Sequence, residues 1–180
     1  MVALRIKPEK PEAHIQLLGT LFLIFQKCRR EGLMAIEMDI ERPRESDVFT
    51  AVAAFDEANA VIYTVLCDTL RLIMVGHLET SGLTRYLAAA RKTSNLSKKQ
   101  QSMFDVLESC MVSHREGYAP AIAVEYGRQC VPAGLKPDFN ALEDYLRTLP
   151  RENNRVLSSA EMDARLVQFF DGLNNPTLKG

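Results

Sequence analysis

The feature that most constrains the fold is a helical repeat of apolar residues that begins near Leu17 and runs into a dense set of mixed charges. At about 100° per residue, one broad side of a helix carries eight apolar or small residues: Leu17, Leu21, Ile24, Phe25, Cys28, Gly32, Ala35 and Ile36. Pro43 disfavours helical geometry at Arg42. The pattern therefore predicts one long helix from about Pro11 to about Glu41, with this side buried.

The opposite side of the predicted helix is charged. It carries Arg30, Met34, Glu37 and Glu41, and Arg29 lies on the flank between the two sides. An amphipathic helix buries one face against its own domain and offers the other to water or to a partner. Composition alone favours a solvated charged face, and a partner-binding face is the alternative.

Other segments with the same period predict the remaining helices, from about Asp56 to Val75, Ser81 to Lys92, Ser97 to Gly117, Pro120 to Gln129, Asp138 to Leu149 and Ser158 to Gly172. Ser97 with Gln100 forms a capping-box pattern, Pro120 suits a first helical position, and Gly76 suits a helix end. No segment shows a convincing two-residue alternation. The sequence therefore predicts an all-α fold, a compact bundle of about six or seven helices with no transmembrane segment.

Composition excludes several classes of protein. The 22 basic and 23 acidic residues nearly cancel, whereas a nucleic-acid site needs clustered positive charge. No apolar run approaches the roughly 18 residues of a membrane span, and no cleavable leader is evident. We expect a soluble, non-secreted chain that binds no nucleic acid.

The residues with nucleophilic or metal-binding side chains are scattered along the sequence. The cysteines are Cys28, Cys67, Cys110 and Cys130, without a CxxC pair, and the histidines are His14, His77 and His114. Reduced, buried thiols are the favoured interpretation for Cys28 and Cys67, and a Cys/His nucleophile pair is the minor alternative. We expect no metal site, no cofactor, no catalytic residues and no enzyme activity.

Asp39 is a special position in the predicted helix. It projects to the apolar side, where an unpaired carboxylate would be costly. We expect a structural pair with Arg71 from the second long helix, which would set the register of the two helices.

Three stretches occur in the order found in one protein family. They are CRREGLMAIEMDIERPRES from Cys28, CDTLRLIMVGH from Cys67 and EGYAPAIAVEYGR from Glu116, followed by KPDFNALEDYL from Lys136. Together they resemble the MotA family, the ion-driven stator subunits of the bacterial flagellar motor, over roughly residues 15 to 148. The GYAPAIAVEYGR stretch is the most specific of them.

The resemblance also predicts how the chain is organised, as a single soluble domain over residues 1–180. Residues 11–92 resemble the MotA cytoplasmic loop, and residues 101–149 resemble its C-terminal cytoplasmic region. Residues 93–100 form a polar junction where the family has two membrane helices, and the first two membrane helices of the family also have no counterpart. Residues 150–180 would add an extra C-terminal helix. An engineered fusion and a natural membrane-free relative both explain this pattern.

The resemblance implies a mechanical function. In the family, MotA subunits form a ring around MotB, and ion flow drives the cytoplasmic part against the rotor protein FliG at the cytoplasmic side of the bacterial inner membrane. An Arg and a Glu on the first cytoplasmic helix contact oppositely charged rotor residues. Carried over by motif, these are Arg29 and Glu37, with Arg30 as a secondary candidate. A cytosolic helical adaptor, or the cytoplasmic part of a related TolQ/ExbB-type motor, is the alternative.

Overall fold

The structure, a computed structural model, describes residues 12–52, 54, 56–76 and 78–150. Its α-helices are α1 (Ala13–Glu31), α2 (Glu37–Glu41), α3 (Asp47–Thr50), α4 (Ala60–Val75), α5 (Thr80–Thr93), α6 (Lys98–Arg115), α7 (Pro120–Cys130) and α8 (Phe139–Thr148). Short 3₁₀ helices span Leu33–Ile36 and Glu57–Asn59. Those ranges contain no strand, so the predicted all-α fold is confirmed.

Helix α1 lies at the centre of the fold. From Ala13 to Phe25 every residue except Gln16 is buried, because this part of the sequence is apolar all round, and such a helix belongs to a core. The predicted one-sided burial is therefore wrong for the first half of α1. It is correct only near the C-terminal end, where Lys27 is partly buried and Arg29 is exposed.

Helices α6 and α7 form the most extensive helix–helix contact, and both pack against α1. Helices α1 and α6 run in the same direction, as contacts at their two ends show. Near the N-termini, His14 Nε2 lies 2.7 Å from Ser102 Oγ. Toward the C-termini, the ring of Phe25 stacks on His114 with centroids 3.9 Å apart. The C-terminal ends of α1 and α6 therefore lie side by side.

The single helix predicted through Glu41 is broken at Gly32. Gly32 adopts φ 89°, and its N–H donates to the carbonyl of Cys28, which ends α1. Positive φ is readily accessible only to glycine among the common residues. A 3₁₀ turn follows, and α2 then runs to Glu41, just before Pro43 as predicted.

Four of the other predicted helix ends are confirmed. Ser97 and Gln100 form both hydrogen bonds of a capping box at the start of α6. Pro120 is the first residue of α7, and Asp138 caps α8 through its side chain. Gly76 caps α4, where its N–H lies 3.1 Å from the carbonyl oxygen of Leu72.

The polar junction at residues 93–100 connects α5 to α6 and is held by Arg91. The guanidinium of Arg91 pairs with Asp105 at 2.6 Å and with Glu108 at 2.9 Å. It also lies over the ring of Phe104, 4.8 Å from the ring centroid. These contacts join the two helices directly across the junction.

One segment qualifies the expectation that the chain lacks a membrane-length apolar stretch. Glu57–Val75 is long and apolar enough, by length and composition alone, to cross a membrane. In the structure 44% of this stretch is buried within the domain. Core helices of soluble proteins satisfy the same criteria, so the stretch is weak grounds for a span.

The predicted helix from Ser158 to Gly172, the N-terminal residues 1–10 and His77 lie outside the described residues. The described residues through Leu149 belong to one compact unit.

Close packing of α6 on α7 depends on the absence of a side chain at Gly127. A Cβ there would overlap the Sγ of Cys110 and would lie 3.1 Å from Cδ2 of Leu18. We expect Gly127→Ala to lower the free energy of unfolding by roughly 1–3 kcal/mol, because an added methyl group must displace well-packed neighbours. Urea unfolding followed by circular dichroism measures this change.

Gly134→Ala is the matched control, since a Cβ at Gly134 meets nothing within 4 Å. We expect its stability to stay within about 0.5 kcal/mol of the wild type. Equal stabilities for the two variants would contradict the proposed close contact.

Candidate functional site

The last turn of α1 places two arginines in solvent. The guanidinium of Arg30 binds the adjacent Glu31, with Nη2 2.7 Å from Oε1. Arg29 is exposed and forms no ion pair with any residue that the structure describes. Both cations also favourably oppose the negative end of the α1 dipole. Of these two arginines, Arg29 is therefore the one that a partner can reach without breaking an existing pair.

Glu37 begins α2, beyond the break at Gly32. It is exposed, and in the described part of the chain its carboxylate forms no ion pair. A carboxylate at this end of a helix interacts favourably with the backbone N–H groups. Arg29 and Glu37 thus lie on separate helices rather than on one helical face, and their contact with a partner stays a prediction.

Two methionines flank Glu37 and are unusually exposed. Met34 is 62% exposed and Met38 is 61% exposed. The helical pattern placed Met34 outward, whereas Met38 was not predicted as a surface residue. Large exposed apolar side chains among charges often mark interaction surfaces, and methionine adapts easily to a partner.

The predicted pair of Asp39 with Arg71 is wrong. Asp39 is buried, and its Oδ2 atom lies 3.0 Å from the Nζ atom of Lys27. This contact is an ion pair without hydrogen-bond geometry, and the directed bond to Asp39 comes from Ser46, whose hydroxyl donates to Oδ1 at 2.7 Å. The break at Gly32 turns α2 back toward α1, which brings Asp39 to Lys27 instead of to α4.

Arg71 nevertheless joins α4 to α2. Its Nε donates to Glu41 at 2.8 Å, and its Nη2 donates to the backbone carbonyl of Ile40 at 2.7 Å. A third bond, from Nη1 to Asp68, holds the guanidinium against its own helix at 2.9 Å. The hydrogen bond with Glu41 raises the pKa of Arg71, which keeps the guanidinium charged.

A cavity of about 320 Å³ lies beside Arg29. Its walls come from α1, the first 3₁₀ turn, α4 and α6, and they are mainly apolar: Cys28, Leu33, Leu70, Ile73 and Met111. Sequence reasoning did not find this cavity, because it forms only where the end of α1 meets α4 and α6.

Arg29, His114, Arg115 and Tyr118 supply the polar groups of the wall, and Gly117 completes it. The Nδ1 atom of His114 is buried and has no hydrogen-bond partner among the described residues. Burial, together with the positive charges of Arg115 and Arg29, lowers the pKa of His114 to about 4. The imidazole is therefore neutral near pH 7.

The buried thiols are poor nucleophiles. Burial raises the pKa of Cys28 to about 11 and that of Cys67 to about 12. Burial also raises the pKa of Cys110. A nucleophilic cysteine requires a thiolate, so these side chains act as core residues. In the described ranges, no three His, Cys, Asp or Glu residues are grouped so as to hold a metal ion.

The GYAPAIAVEYGR stretch forms a corner and a helix. Gly117 adopts φ 94° in the turn between α6 and α7. Within α7, Arg128 binds both carboxylate oxygens of Glu125 at 2.7 Å, and this hydrogen bonding lowers the pKa of Glu125. Arg128 also donates to the carbonyl of Pro137 at 2.8 Å, which attaches the segment before α8. These contacts hold the corner and the segment before α8 in place.

Removing the Asp39 carboxylate should destabilise the domain. Asp39→Ala leaves Lys27, whose side chain is 16% exposed, without this carboxylate. We expect a loss of about 3 kcal/mol in the free energy of unfolding, measured by urea unfolding. Glu37→Ala, the exposed control, should change stability by less than about 0.5 kcal/mol. Equal effects of the two variants would contradict the assignment.

The neutral state of His114 predicts a pH effect. Its folded pKa of about 4 lies below the ordinary value of 6.5, so its contribution to stability is complete above pH 6.5 and is lost as pH falls toward 4. The loss between pH 7 and pH 5 should be below about 2 kcal/mol, since the ring is partly solvated.

His114→Phe retains a ring against Phe25 and removes the titration. We expect this variant to lose less stability than the wild type between pH 7 and pH 5, as measured by thermal unfolding. Parallel pH profiles for the two proteins would show that His114 is not buried in its neutral form.

Comparison with known proteins identifies relatives in bacterial motility. The chain is 23% identical to Motility protein A of Salmonella typhimurium over 216 residues, covering 79% of this chain and 73% of that protein. It is 23% identical to Motility protein A of Escherichia coli over 210 residues, covering 76% and 71%. No family model matches the chain, and no solved structure matches it significantly.

Both alignments are longer than the chain itself, which has 180 residues. Each relative therefore contains residues that face gaps in this chain. The similarity extends over most of the chain and most of each relative. The chain is a MotA-like protein.

Proposed function

We propose that this stator-like chain is the cytoplasmic, force-transmitting part of a flagellar motor stator. It contacts the rotor protein FliG at the cytoplasmic side of the bacterial inner membrane. In the parent assembly it acts with MotB and with other MotA subunits, whose membrane part carries the ion flow. The chain itself does no chemistry on a substrate.

The observation that supports this proposal is the exposure and the ion pairing of two oppositely charged side chains. Arg29 and Glu37 are both exposed, and neither forms an ion pair within the described ranges. Several other exposed charges of the domain are paired, including Arg42 with Glu45 and Arg147 with Glu143. Arg30 is engaged by Glu31 and is therefore the weaker candidate.

The geometry suits a contact that is made and released repeatedly. Exposed ion pairs contribute roughly 0–1 kcal/mol each and are screened by salt. Complementary charges mainly set orientation and association rate. The exposed side chains of Met34 and Met38 add a small adaptable apolar surface beside Glu37.

Contacts with α4 and α1 fix the helix that carries Glu37 to the rest of the domain. Arg71 ties α2 to α4, and the ion pair of Lys27 with Asp39 ties α2 to α1. A surface that transmits force must resist local displacement. We infer that these contacts hold α2 in place under load.

The test is binding of the full chain to the C-terminal domain of FliG at low and high salt. The chain is tethered densely on a surface, so that multivalency compensates for the absent ring. We expect salt-sensitive binding, weakened about 3- to 10-fold by Arg29→Glu and by Glu37→Lys, as expected for the loss of one exposed pair and the gain of a repulsion.

Lys98→Glu is the matched control for a charge reversal. Lys98 is exposed at the start of α6, at the end where α6 meets the start of α1. Since α1 rises about 1.5 Å per residue, Arg29 lies roughly 20 Å away. The proposed contact would be contradicted if the Arg29→Glu and Glu37→Lys variants both bound FliG as tightly as the wild type, as the Lys98→Glu control is expected to do.

A further inference from the structure

The cavity beside Arg29 has the composition of a small-molecule site. Its volume of about 320 Å³ lies at the lower end of the roughly 300–1,000 Å³ typical of ligand pockets. Leu70, Ile73 and Met111 form its apolar wall. Such a wall favours an alkyl chain, because each methylene group removed from water contributes about 0.8 kcal/mol.

The charged residues that line the cavity are all positive. Arg29 and Arg115 both line it, and no acidic residue does so within the described part of the chain. Arg29 forms no ion pair there. Arg115 donates through Nε to the carbonyl of Leu78 at 2.6 Å, which uses one of the five N–H donors of a guanidinium. Two cations at an apolar cavity attract an anionic group.

His114 lines the same cavity. Its Nδ1 lacks a partner among the described residues, and a buried polar atom without a hydrogen bond is costly. The adjacent arginine charges help to keep its imidazole neutral, since they contribute to its lowered pKa. An anion bound beside them would offset these charges.

We propose that this cavity binds a small amphiphilic carboxylate. Its alkyl chain lies against Leu70, Ile73 and Met111, and its carboxylate lies between Arg29 and Arg115. Guanidinium groups bind carboxylates through paired, charge-assisted hydrogen bonds. The site shares Arg29 with the exposed surface around Glu37.

The experiment uses the full chain with labelled methionine and isoleucine methyl groups, followed by NMR during titration with octanoate. We expect saturable shifts of the Met111 and Ile73 methyl signals, with a Kd in the millimolar range or tighter, in keeping with a ligand of this size. Octylammonium, which has the same chain and the opposite charge, should cause no saturable shift. Acetate, which lacks the chain, should bind at least tenfold more weakly.

Variants test the role of the arginines. The double variant Arg29→Gln/Arg115→Gln should weaken octanoate binding at least tenfold, whereas Lys98→Gln should leave it unchanged. Circular dichroism is used to check that both variants remain folded. Octanoate should also raise the pKa of His114, because a nearby negative charge favours the protonated ring. A titration of the His114 ring signals measures this shift.

Three results would overturn the proposal. The first is the absence of saturable methyl shifts with octanoate up to about 10 mM, a concentration above the Kd expected for a ligand of this size. The second is binding of octylammonium as tight as that of octanoate. The third is unchanged octanoate binding in the double arginine variant. None of these measurements involves FliG, so the proposal stands or fails independently of the rotor contact.

Discussion

Burial of α1 from Ala13 to Phe25 is the constraint on which the rest of the structure depends. Its first half offers almost only apolar surface, from Ala13 to Phe25, and this surface leaves water only when other helices surround it. Helices α6 and α7 supply the largest part of that cover, and α3 and α8 also contact α1. The close approach at Gly127 is part of the same arrangement.

The end of α1 connects this core to the candidate surface. Gly32 stops the helix, so α2 folds back and Asp39 reaches Lys27. Arg29 remains on the last turn of α1, whereas Glu37 starts a separate helix that Arg71 fixes to α4. Residues on both sides of this break, Arg29 and Leu33, also line the cavity. One glycine thus organises the charged surface and the cavity together.

Local signals explain what the sequence could predict. Helix ends depend on residues within one turn, so the capping box of Ser97 and Gln100 and the position of Pro120 were readable. Gly32 was misassigned because a glycine can occupy a helix or end one, and the apolar spacing on either side of it continued the same period. The partner of Asp39 was missed for the same reason, since the chain direction after Gly32 decides it. The cavity and the isolated Nδ1 of His114 arise from three helices that are distant in sequence.

The measurement that tests the account most directly is site-specific photo-crosslinking to FliG. A photoreactive amino acid replaces Met38, which is 61% exposed beside Glu37, and a second chain carries it at Lys98. The account predicts a crosslinked product with FliG from position 38 and none from position 98, with the former reduced at high salt. Equal crosslinking from both positions, or crosslinking from position 98 alone, would show that the rotor contact is not at the surface formed by Arg29 and Glu37.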